Sequence, residues 1–515
     1  MANKTLFSAA FSRFLPRTDA VNEAGGAAYA YGPEAKLAQL AATGTLSDGF
    51  YSGADAQLAD VLSAARAVSP DFVAKAAVYA RKSGAMKDMP ALLAAYLTVA
   101  DPDLAVPVFG RVIDNGRMLR NFVQIMRSGQ VGRRSLGSRP KRLVREWLEK
   151  ASMPQLMAAA TGNDPSLADI VRMVHPAPAS ADRRAFYGWL IGKPYDVAAL
   201  PAEIATFEAW KRDPKGALPP VPFEWLTAFP LTAGQWAELA GRMGWQALRM
   251  NLNTLARNGA FDVKGATAKV AARLADADTI ARVRPAPYQL MVAMGQVGEA
   301  VPLRVQAALE EALELSLATV PVLAGHVVVC PDVSGSMSSA ATGYRKGATS
   351  VVRCIDIAAL VAAAVLRTNR RARVMPFDVD VVGMALDPKA RVAVNAARLA
   401  AIGGGGTNVS APLARLNAER AKVDTVVIVS DNESWIDPTR RGATATMNEW
   451  NKLKARNPGA KLICIDIQPY GTTQAKDRKD IMNVGGFTDA VFDAMARFAS
   501  GETRDWVEIV NETEV

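Results

Sequence analysis

Three side chains with hard oxygen atoms follow an apolar run at residues 326–330: Asp332, Ser334 and Ser336. A carboxylate and two hydroxyls at alternating positions can converge on one hard cation. Mg²⁺ in particular is bound by few carboxylates, with neutral oxygens and waters completing a near-octahedral set of ligands. Because Asp, Ser and Gly are also ordinary turn residues, this segment predicts a cation site only when further oxygen ligands join it.

Two segments downstream supply such ligands. Four glycines at 403–406 allow close backbone approach before Thr407, and an apolar run at 426–429 is followed by Ser430 and Asp431. The alternative interpretation is that all these residues are N-caps and turns after buried strands. The combined set resembles the metal-ion-dependent adhesion site of von Willebrand factor A domains. That resemblance implies a divalent cation, expected to be Mg²⁺, held by Asp332, Ser334, Ser336, Thr407 and Asp431.

The elements that must position these ligands lie in the last 190 residues or so of the chain. Short β-like runs alternate there with helical stretches, which predicts βαβ units and a Rossmann-like parallel sheet covered on both faces. Ligands bind such sheets outside the carboxyl ends of the strands. The predicted strands are 326–330, 372–377, 425–430, 461–467 and a last one at 505–510. The predicted helices are 347–368, 411–421, 444–455 and 488–499.

Residues 34–315 have a different pattern, with helix after helix separated by short Gly, Pro, Asp and Asn clusters. Apolar residues recur with helical spacing at 35–42, 54–65, 70–82, 89–100, 141–150 and 305–317. Consecutive helix pairs predict an irregular α-solenoid of the HEAT type, with a bundle of unrelated helical domains as the alternative. We therefore expect a helical domain at 1–320 and an α/β domain at 321–515.

Composition is that of a globular protein, because half of the 515 residues are hydrophobic. Cys330, Cys354 and Cys464 fit neither a disulfide framework nor a zinc site, so buried free thiols in a reducing compartment are expected. The amino terminus does not have the pattern of a signal peptide. The longest apolar run, 357–366, is too short to span a bilayer. These features predict a cytoplasmic protein without membrane association.

Positive charge is concentrated in one stretch of the chain. The net charge is +10, and residues 111–150 carry eleven Lys or Arg against three acids, a net of +8. Such a concentration predicts a polyanion-binding surface, with a solvated helical face as the alternative. Aromatic residues for base stacking are scarce here, since Phe122 and Trp147 fit a core, so we expect contacts to phosphates. The candidates are Arg117, Arg120, Arg127, Arg133, Arg134, Arg139, Lys141, Arg142 and Arg145.

Several segments along nearly the whole chain resemble the Ro autoantigen family of TROVE-domain proteins, and its bacterial members in particular. They are residues 21–26, 47–51, 166–176, 248–253, 284–288, 404–407 and 430–433. The resemblance implies a closed ring of helical repeats, clasped by the A domain, in a monomeric RNA-binding protein. It also implies Y-type noncoding RNA on the outer surface, and single-stranded 3′ ends of misfolded or precursor RNA in a basic central hole. An exoribonuclease such as polynucleotide phosphorylase is the implied partner in RNA quality control.

The two histidines are interpreted separately. His175, with Arg172 one turn earlier, becomes an RNA contact through the resemblance, whereas a histidine before Pro176 is otherwise a helix-ending residue. His326 lies in a predicted buried strand and is expected in the core. With only two histidines, the chain has few candidates for general acid–base catalysis. The sequence contains neither a nucleophile elbow nor a P-loop. We expect no catalysis. The alternatives are a scaffold whose metal binds an acidic partner and a metal-dependent nuclease.

Overall fold

The computed structural model describes residues 15–46, 53–342, 352–369, 371–434, 442–468 and 470–515. They form two compact units. The first, the A-domain unit, combines the described residues up to Met89 with Ala286–Val292 and Ser316–Glu514. The second, the helical unit, contains Pro90–Pro285 and Ala293–Leu315. No helix in the described part of the chain has the length and apolar character needed to cross a membrane.

Short helices make up nearly all regular structure between residues 88 and 316. They are Asp88–Ala100, Ala105–Val112, Gly116–Ser128, Ser138–Lys150, Met153–Ala159, Leu167–Val174, Ala181–Ile191, Ala202–Trp210, Phe223–Leu226, Ala233–Arg242, Trp245–Met250, Leu252–Arg257, Ala266–Leu274, Ala277–Val283, Pro287–Gln296 and Leu303–Ser316. Ser152, Ser166 and Thr232 begin three of them through capping boxes, in which side chains satisfy the free amides of the first turn. The predicted array of helices is confirmed.

Arginine side chains hold the carboxyl ends of several of these helices. Arg183 donates to the carbonyl oxygens of Leu148 and Ala151, the latter at 3.0 Å. Arg273 makes the same pair of bonds to Ala240 and Met243. The last carbonyls of a helix have no partner within it and carry its partial negative charge, so a guanidinium from a neighbouring helix satisfies both needs. These arginine side chains are therefore engaged in helix packing.

A five-stranded parallel sheet forms the centre of the A-domain unit, with the order β10-β8-β7-β3-β6. Its strands are β3 (Val327–Pro331), β6 (Arg373–Val374), β7 (Thr425–Ser430), β8 (Lys461–Asp466) and β10 (Ile481–Gly485). The helices that follow or flank them are Cys354–Thr368, Val392–Ala400, Ala411–Ala418, Ala445–Arg456, Asp489–Ser500 and Trp506–Asn511. β3, β7 and β10 are buried along their whole length, as expected for a parallel sheet covered on both faces. The α/β fold class is confirmed.

The first described residues of the chain belong to this unit. Strands β1 (Ala20–Val21) and β2 (Ala27–Ala30) form a hairpin, and β2 pairs with β9 (Thr472–Thr473). We call residues 20–31 the N-terminal strap. Tyr29 of the strap is fully buried in the same core cluster as Ile428, Trp450 and Leu462. The helices Pro33–Thr43, Ala54–Arg66 and Pro70–Lys82 follow it, and a two-stranded ribbon of β4 (Ala340–Thr342) and β5 (Val352–Arg353) completes the strands.

The compact units therefore do not coincide with the predicted division into 1–320 and 321–515. Residues up to Met89 pack with the sheet and its flanking helices because Tyr29 of the strap lies in its core cluster, Gln39 donates to Asp466, and Tyr79 accepts from Trp506. Sequence reasoning identified the composition change near residue 320, but a hairpin of six strand residues carries too weak a pattern to predict its long-range pairing.

Two smaller predictions were wrong. The expected last strand at 505–510 is the helix Trp506–Asn511, because Asp505 caps it through the amide of Glu508 and Trp506, Ile509 and Val510 share its buried face. His326 is exposed and lies one residue before β3, where its amide donates to Asp424 Oδ2 at 2.7 Å. The strand β10 and the helix Val392–Ala400 were not predicted.

The remaining predicted elements agree with the structure to within a few residues, apart from segments that cannot be compared. Residues 347–351 of the predicted helix 347–368 lie outside the described residues, as does the segment 47–51. All three cysteines are unpaired and buried, as expected.

We predict that Gly26→Ala destabilises the A-domain unit. A Cβ on Gly26 would lie 2.2 Å from the carbonyl oxygen of Ser434, so the strap must move away from it. Forcing an extra methyl into a packed site costs about 1–3 kcal/mol, and we expect a lower melting temperature by calorimetry. Gly459→Ala is the control, because a Cβ there meets no atom within 4 Å. Equal melting temperatures for the two variants would show that the strap is not held as described.

Candidate metal centre and basic surface

Two buried carboxylates meet at the carboxyl edge of the parallel sheet. Asp332 follows β3 and Asp431 follows β7, and these two strands are neighbours in register, with Pro331 opposite Val429. The amide of Asp332 donates to the carbonyl oxygen of Val429 at 2.9 Å. Asp332 is 0% exposed and Asp431 is 1% exposed. The parallel pairing of the two strands thus places both acids side by side, out of water.

Hydroxyl groups surround this pair. Ser430 Oγ donates to Asp332 Oδ2 at 2.6 Å, and the amide of Ser334 donates to Asp332 Oδ1 at 2.8 Å. Ser334 Oγ and Ser336 Oγ lie 3.3 Å apart, at the start of a short 3-10 turn, Gly335–Ser338. Both serines are buried. The predicted Asp-x-Ser-x-Ser segment therefore folds back on itself, with its oxygen atoms beside the two carboxylates.

The glycine run reaches the same edge. The amide of Gly335 donates to the carbonyl oxygen of Gly405 at 3.0 Å. A side chain on Gly405 could not be accommodated, because a Cβ there would lie 2.7 Å from Asp378 Oδ2. Thr407, two residues later, is 4% exposed. The structure thus brings the loops of all five predicted metal ligands to one end of the sheet.

Burial sets the electrostatics of the two acids. It raises the pKa of Asp332 to about 7, with the charge of Asp431 as the second cause, and it also raises the pKa of Asp431. Asp431 Oδ2 has no hydrogen-bond partner among the described residues. Two neighbouring desolvated carboxylates and a buried oxygen without a donor are what a cation would stabilise. The donor set, two carboxylates with hydroxyls, suits a hard cation such as Mg²⁺.

That set contains few strong ligands. In the described ranges, no group of three or more His, Cys, Asp or Glu side chains is arranged to hold a metal directly. Ligation by the five predicted residues remains a prediction.

Two acids that sequence reasoning did not select lie at the same edge. Glu433 is 1% exposed and Asp466, at the end of β8, is 3% exposed. Burial raises the pKa of each to about 8, and the charge of Asp431 contributes to both shifts. The sequence placed Asp466 near the end of the predicted strand 461–467, but Asp466 lies inside an apolar run without Ser or Gly close to it.

The N-terminal strap and the helix after it supply the partners of these acids. The amide of Ala24 donates to Glu433 Oε2 at 3.1 Å. Tyr31 Oη donates to Asp466 Oδ2 at 2.6 Å, and Gln39 Nε2 donates to the same oxygen at 2.8 Å. The segment 21–26, selected for its family resemblance, is thus part of the wall of this site.

The predicted RNA-binding residues lie in the helical unit, and the structure separates them into two groups. The first group holds helix ends: Arg120 donates to Ala159, Arg145 to Val174 and Arg172 to Ile191, in each case to the carbonyl oxygen. Arg139 is paired with Asp103 at 3.0 Å. The side chains of this first group are therefore already engaged, three with helix-end carbonyl oxygens and one with a carboxylate.

The second group consists of Arg117, Arg127, Arg134 and Arg142, which are exposed and do not hold a helix end. We call these four the exposed arginines. Arg139, Arg145 and Arg172 of the first group are exposed as well, although each has a partner. Within the described residues, the only ion pair of the exposed arginines is a loose one, between Arg142 and Glu146 at 3.7 Å. Arg133 and Lys141 are half-buried between these positions. His175 is exposed and ends the helix Leu167–Val174 with a φ of 48°, which agrees with the helix-ending interpretation. Its contact with RNA remains a prediction.

We predict that Asp466→Asn flattens the dependence of stability on pH in metal-free protein. The pKa of Asp466, ordinarily 3.8, is raised to about 8 in the fold by burial, with the charges of Asp431 and Asp477 adding to it. The neutral acid is therefore favoured in the folded state. The contribution of this neutral acid to the free energy of unfolding is complete below about pH 4. It is lost as the pH rises through 8.

Calorimetry in EDTA should accordingly show the wild-type melting temperature falling between pH 6 and pH 9, and falling less in the variant. Identical slopes would contradict the assignment.

Comparison with known proteins supports the sequence analysis. Residues 326–499 match the family model of the Ro60 vWA domain. The chain is 26% identical, over 93% of its length and 95% of the relative's, to the RNA-binding protein RO60 of Deinococcus radiodurans. It also resembles the crystal structure of the Deinococcus radiodurans RO (RSR) protein, with a TM-score of 0.61 and 22% identity, covering 92% of this chain and 100% of that one.

The likeness therefore extends over both the helical array and the A domain, and the resemblance inferred from the sequence is confirmed. Residues 326–499 match the Ro60 vWA domain, in a chain that resembles a bacterial Ro protein over nearly its whole length.

Proposed function

We propose that this protein binds RNA through the exposed arginines of its helical unit. The observation that carries the proposal is that Arg117, Arg127, Arg134 and Arg142 are exposed within a stretch of net charge +8, although other arginines nearby are used to hold helices. Guanidinium groups bind phosphates without reading bases. The similarity to a protein named for RNA binding supports the same function.

The RNA partners we propose are a Y-type noncoding RNA and the single-stranded 3′ ends of misfolded or precursor RNA. The protein itself acts as a non-catalytic, monomeric, cytoplasmic adaptor in RNA quality control, processing or decay. An exoribonuclease, polynucleotide phosphorylase or another, degrades or trims the bound RNA. The scarcity of exposed aromatic residues in the basic stretch supports recognition by backbone, shape and ends.

The metal centre has a separate, structural role in this proposal. Asp332, Ser334, Ser336, Thr407 and Asp431 hold a divalent cation, expected to be Mg²⁺. The bound cation supplies positive charge that offsets the desolvation of the two carboxylates. The residues of the chain do the rest: Ser430 and the amide of Ser334 orient Asp332, and the loop at Gly405 brings in Thr407.

We predict that reversing two exposed arginines, Arg134→Glu with Arg142→Glu, weakens RNA binding at low salt by at least about tenfold, because phosphate contacts dominate affinity. Fluorescence anisotropy with a hairpin RNA carrying a single-stranded 3′ tail measures the loss. The slope of log affinity against log salt should fall by roughly one for each lost contact. Arg398→Glu is the matched control, since Arg398 is exposed on a helix of the A-domain unit. Unchanged binding by the double variant would refute the proposed surface.

We further predict that Arg145→Gln lowers the melting temperature but changes RNA affinity less than twofold at 25 °C. Its Nε donates to the carbonyl oxygen of Val174, so the side chain is needed for helix packing. The loss of such a bond costs about 1 kcal/mol. A large loss of RNA affinity without a change in melting would instead place Arg145 among the RNA contacts.

The metal centre is tested separately. We predict that Asp332→Ala or Asp431→Ala abolishes measurable Mg²⁺ binding in calorimetric titration, because each removes one of two carboxylate ligands. RNA affinity should remain, since the exposed arginines are in the other unit. Parallel loss of cation and RNA binding would show that the two functions are coupled. RNA cleavage that requires Mg²⁺ and is lost in Asp332→Ala would favour the nuclease alternative.

A further inference from the structure

The turn of the N-terminal strap lies directly on the loop that carries Asp431. Asn22 Nδ2 donates to the carbonyl oxygen of Ser434 at 2.6 Å, and Asn22 Oδ1 accepts from the amide of Gly26 at 2.6 Å. Asn22 is itself only 5% exposed. Ser434 Oγ in turn donates to the carbonyl oxygen of Thr407 at 3.4 Å. The strap therefore reaches loops that carry two of the predicted ligands.

Glu433 is the residue where the strap and the centre meet. Its amide donates to Asp431 Oδ1 at 3.4 Å, so it follows the backbone of the ligand loop. Its Oε2 accepts from the amide of Ala24 in the strap. Its Oε1, equally buried, has no hydrogen-bond partner among the described residues. A buried carboxylate oxygen without a donor is costly, so a donor that is not a side chain is expected there.

A bound Mg²⁺ would bring such donors. It dehydrates reluctantly and keeps several waters, whose O–H groups point away from the ion. Carboxylates in the second layer around a metal commonly accept from groups bound to it, and they tune its affinity. The geometry of Glu433, with one oxygen on the strap and the other free, fits a carboxylate that bridges the strap to the hydrated ion.

We propose that Glu433 accepts a hydrogen bond from a water on the bound cation, and that the cation and the N-terminal strap thereby stabilise each other. This inference rests on the proposed metal centre. The centre thus fastens the N-terminal strap to the A-domain unit.

Coupling of this kind is reciprocal. If the bound cation stabilises the docked strap, the docked strap increases the affinity for the cation by the same free energy. The amide of Ala24 reports docking of the strap, since its hydrogen-bond acceptor, Glu433 Oε2, lies outside the strap. Hydrogen exchange of residues 22–26, followed by mass spectrometry with Mg²⁺ and with EDTA, therefore measures the coupling in the full-length protein.

The decisive variant is Glu433→Gln, which keeps the shape and an oxygen for Ala24 but removes the charge. We expect Mg²⁺ to slow exchange of the strap in the wild type and to have no such effect in the variant. Its Mg²⁺ affinity should be roughly tenfold weaker, the lower end of what loss of a second-layer partner costs. Asp480→Asn is the matched control, because Asp480 precedes β10 at the opposite edge of the sheet and is held by Arg478 and Trp450. This variant should keep both properties of the wild type.

Three results would overturn the inference. The first is that Mg²⁺ slows hydrogen exchange of the strap equally in the wild type and in Glu433→Gln. The second is that the wild type binds Mg²⁺ but exchange of its strap is not slowed. The third is that the two proteins have equal Mg²⁺ affinities. A wild type that binds no Mg²⁺ would refute the metal centre itself, and with it this inference.

Melting in EDTA checks the fold, where Glu433→Gln should be about as stable as the wild type because glutamine keeps the shape of the side chain and its acceptor for Ala24. If it is unfolded, Glu433→Asp replaces it. The shorter side chain keeps the charge but withdraws from Ala24, so the same loss of coupling is expected.

Discussion

Everything at the carboxyl edge of the sheet depends on placing two acids next to each other without water. The parallel register of β3 and β7 fixes Asp332 beside Asp431, and burial of both raises their pKa values. Desolvation of this kind opposes folding unless hydroxyls, amides and a cation offset it. The serine-rich turn, the glycine run and the strap all converge there, so the edge is organised around the need to stabilise negative charge.

The helical unit uses positive charge in two ways that compete for the same residue type. Arg120, Arg145 and Arg172 end on backbone carbonyls, whereas Arg134 and Arg142 face solvent. A planar guanidinium with several donors suits both tasks. The net charge of a stretch therefore overstates the charge available to a polyanion, because arginines that bond backbone carbonyls, even exposed ones such as Arg145 and Arg172, already have partners.

Much of this arrangement could be read from the sequence because its signals are local. Four of the five predicted ligands follow apolar runs, and strands of a parallel sheet bring such positions to one edge. The fifth, Thr407, follows the glycine run. The strap, Glu433 and Asp466 were not predictable in the same way. Their roles arise from contacts between residues more than 400 positions apart, as for Asn22 and Ser434, and a single sequence carries no record of such pairs. Likewise, the difference between Arg142 and Arg145 depends on which side of one helix faces a neighbour.

The distance along the chain between Asn22 and Ser434, 412 residues, has a consequence for biosynthesis. A ribosome releases chains from the amino end, so the strap emerges long before the loops that bury Asn22 and Tyr29. During that interval its apolar residues and unpaired strand edges are available to other chains, the condition under which large proteins misassemble. Closing such a long loop is also slow. Completion of the A-domain unit is therefore a late event, which only a full-length chain can reach.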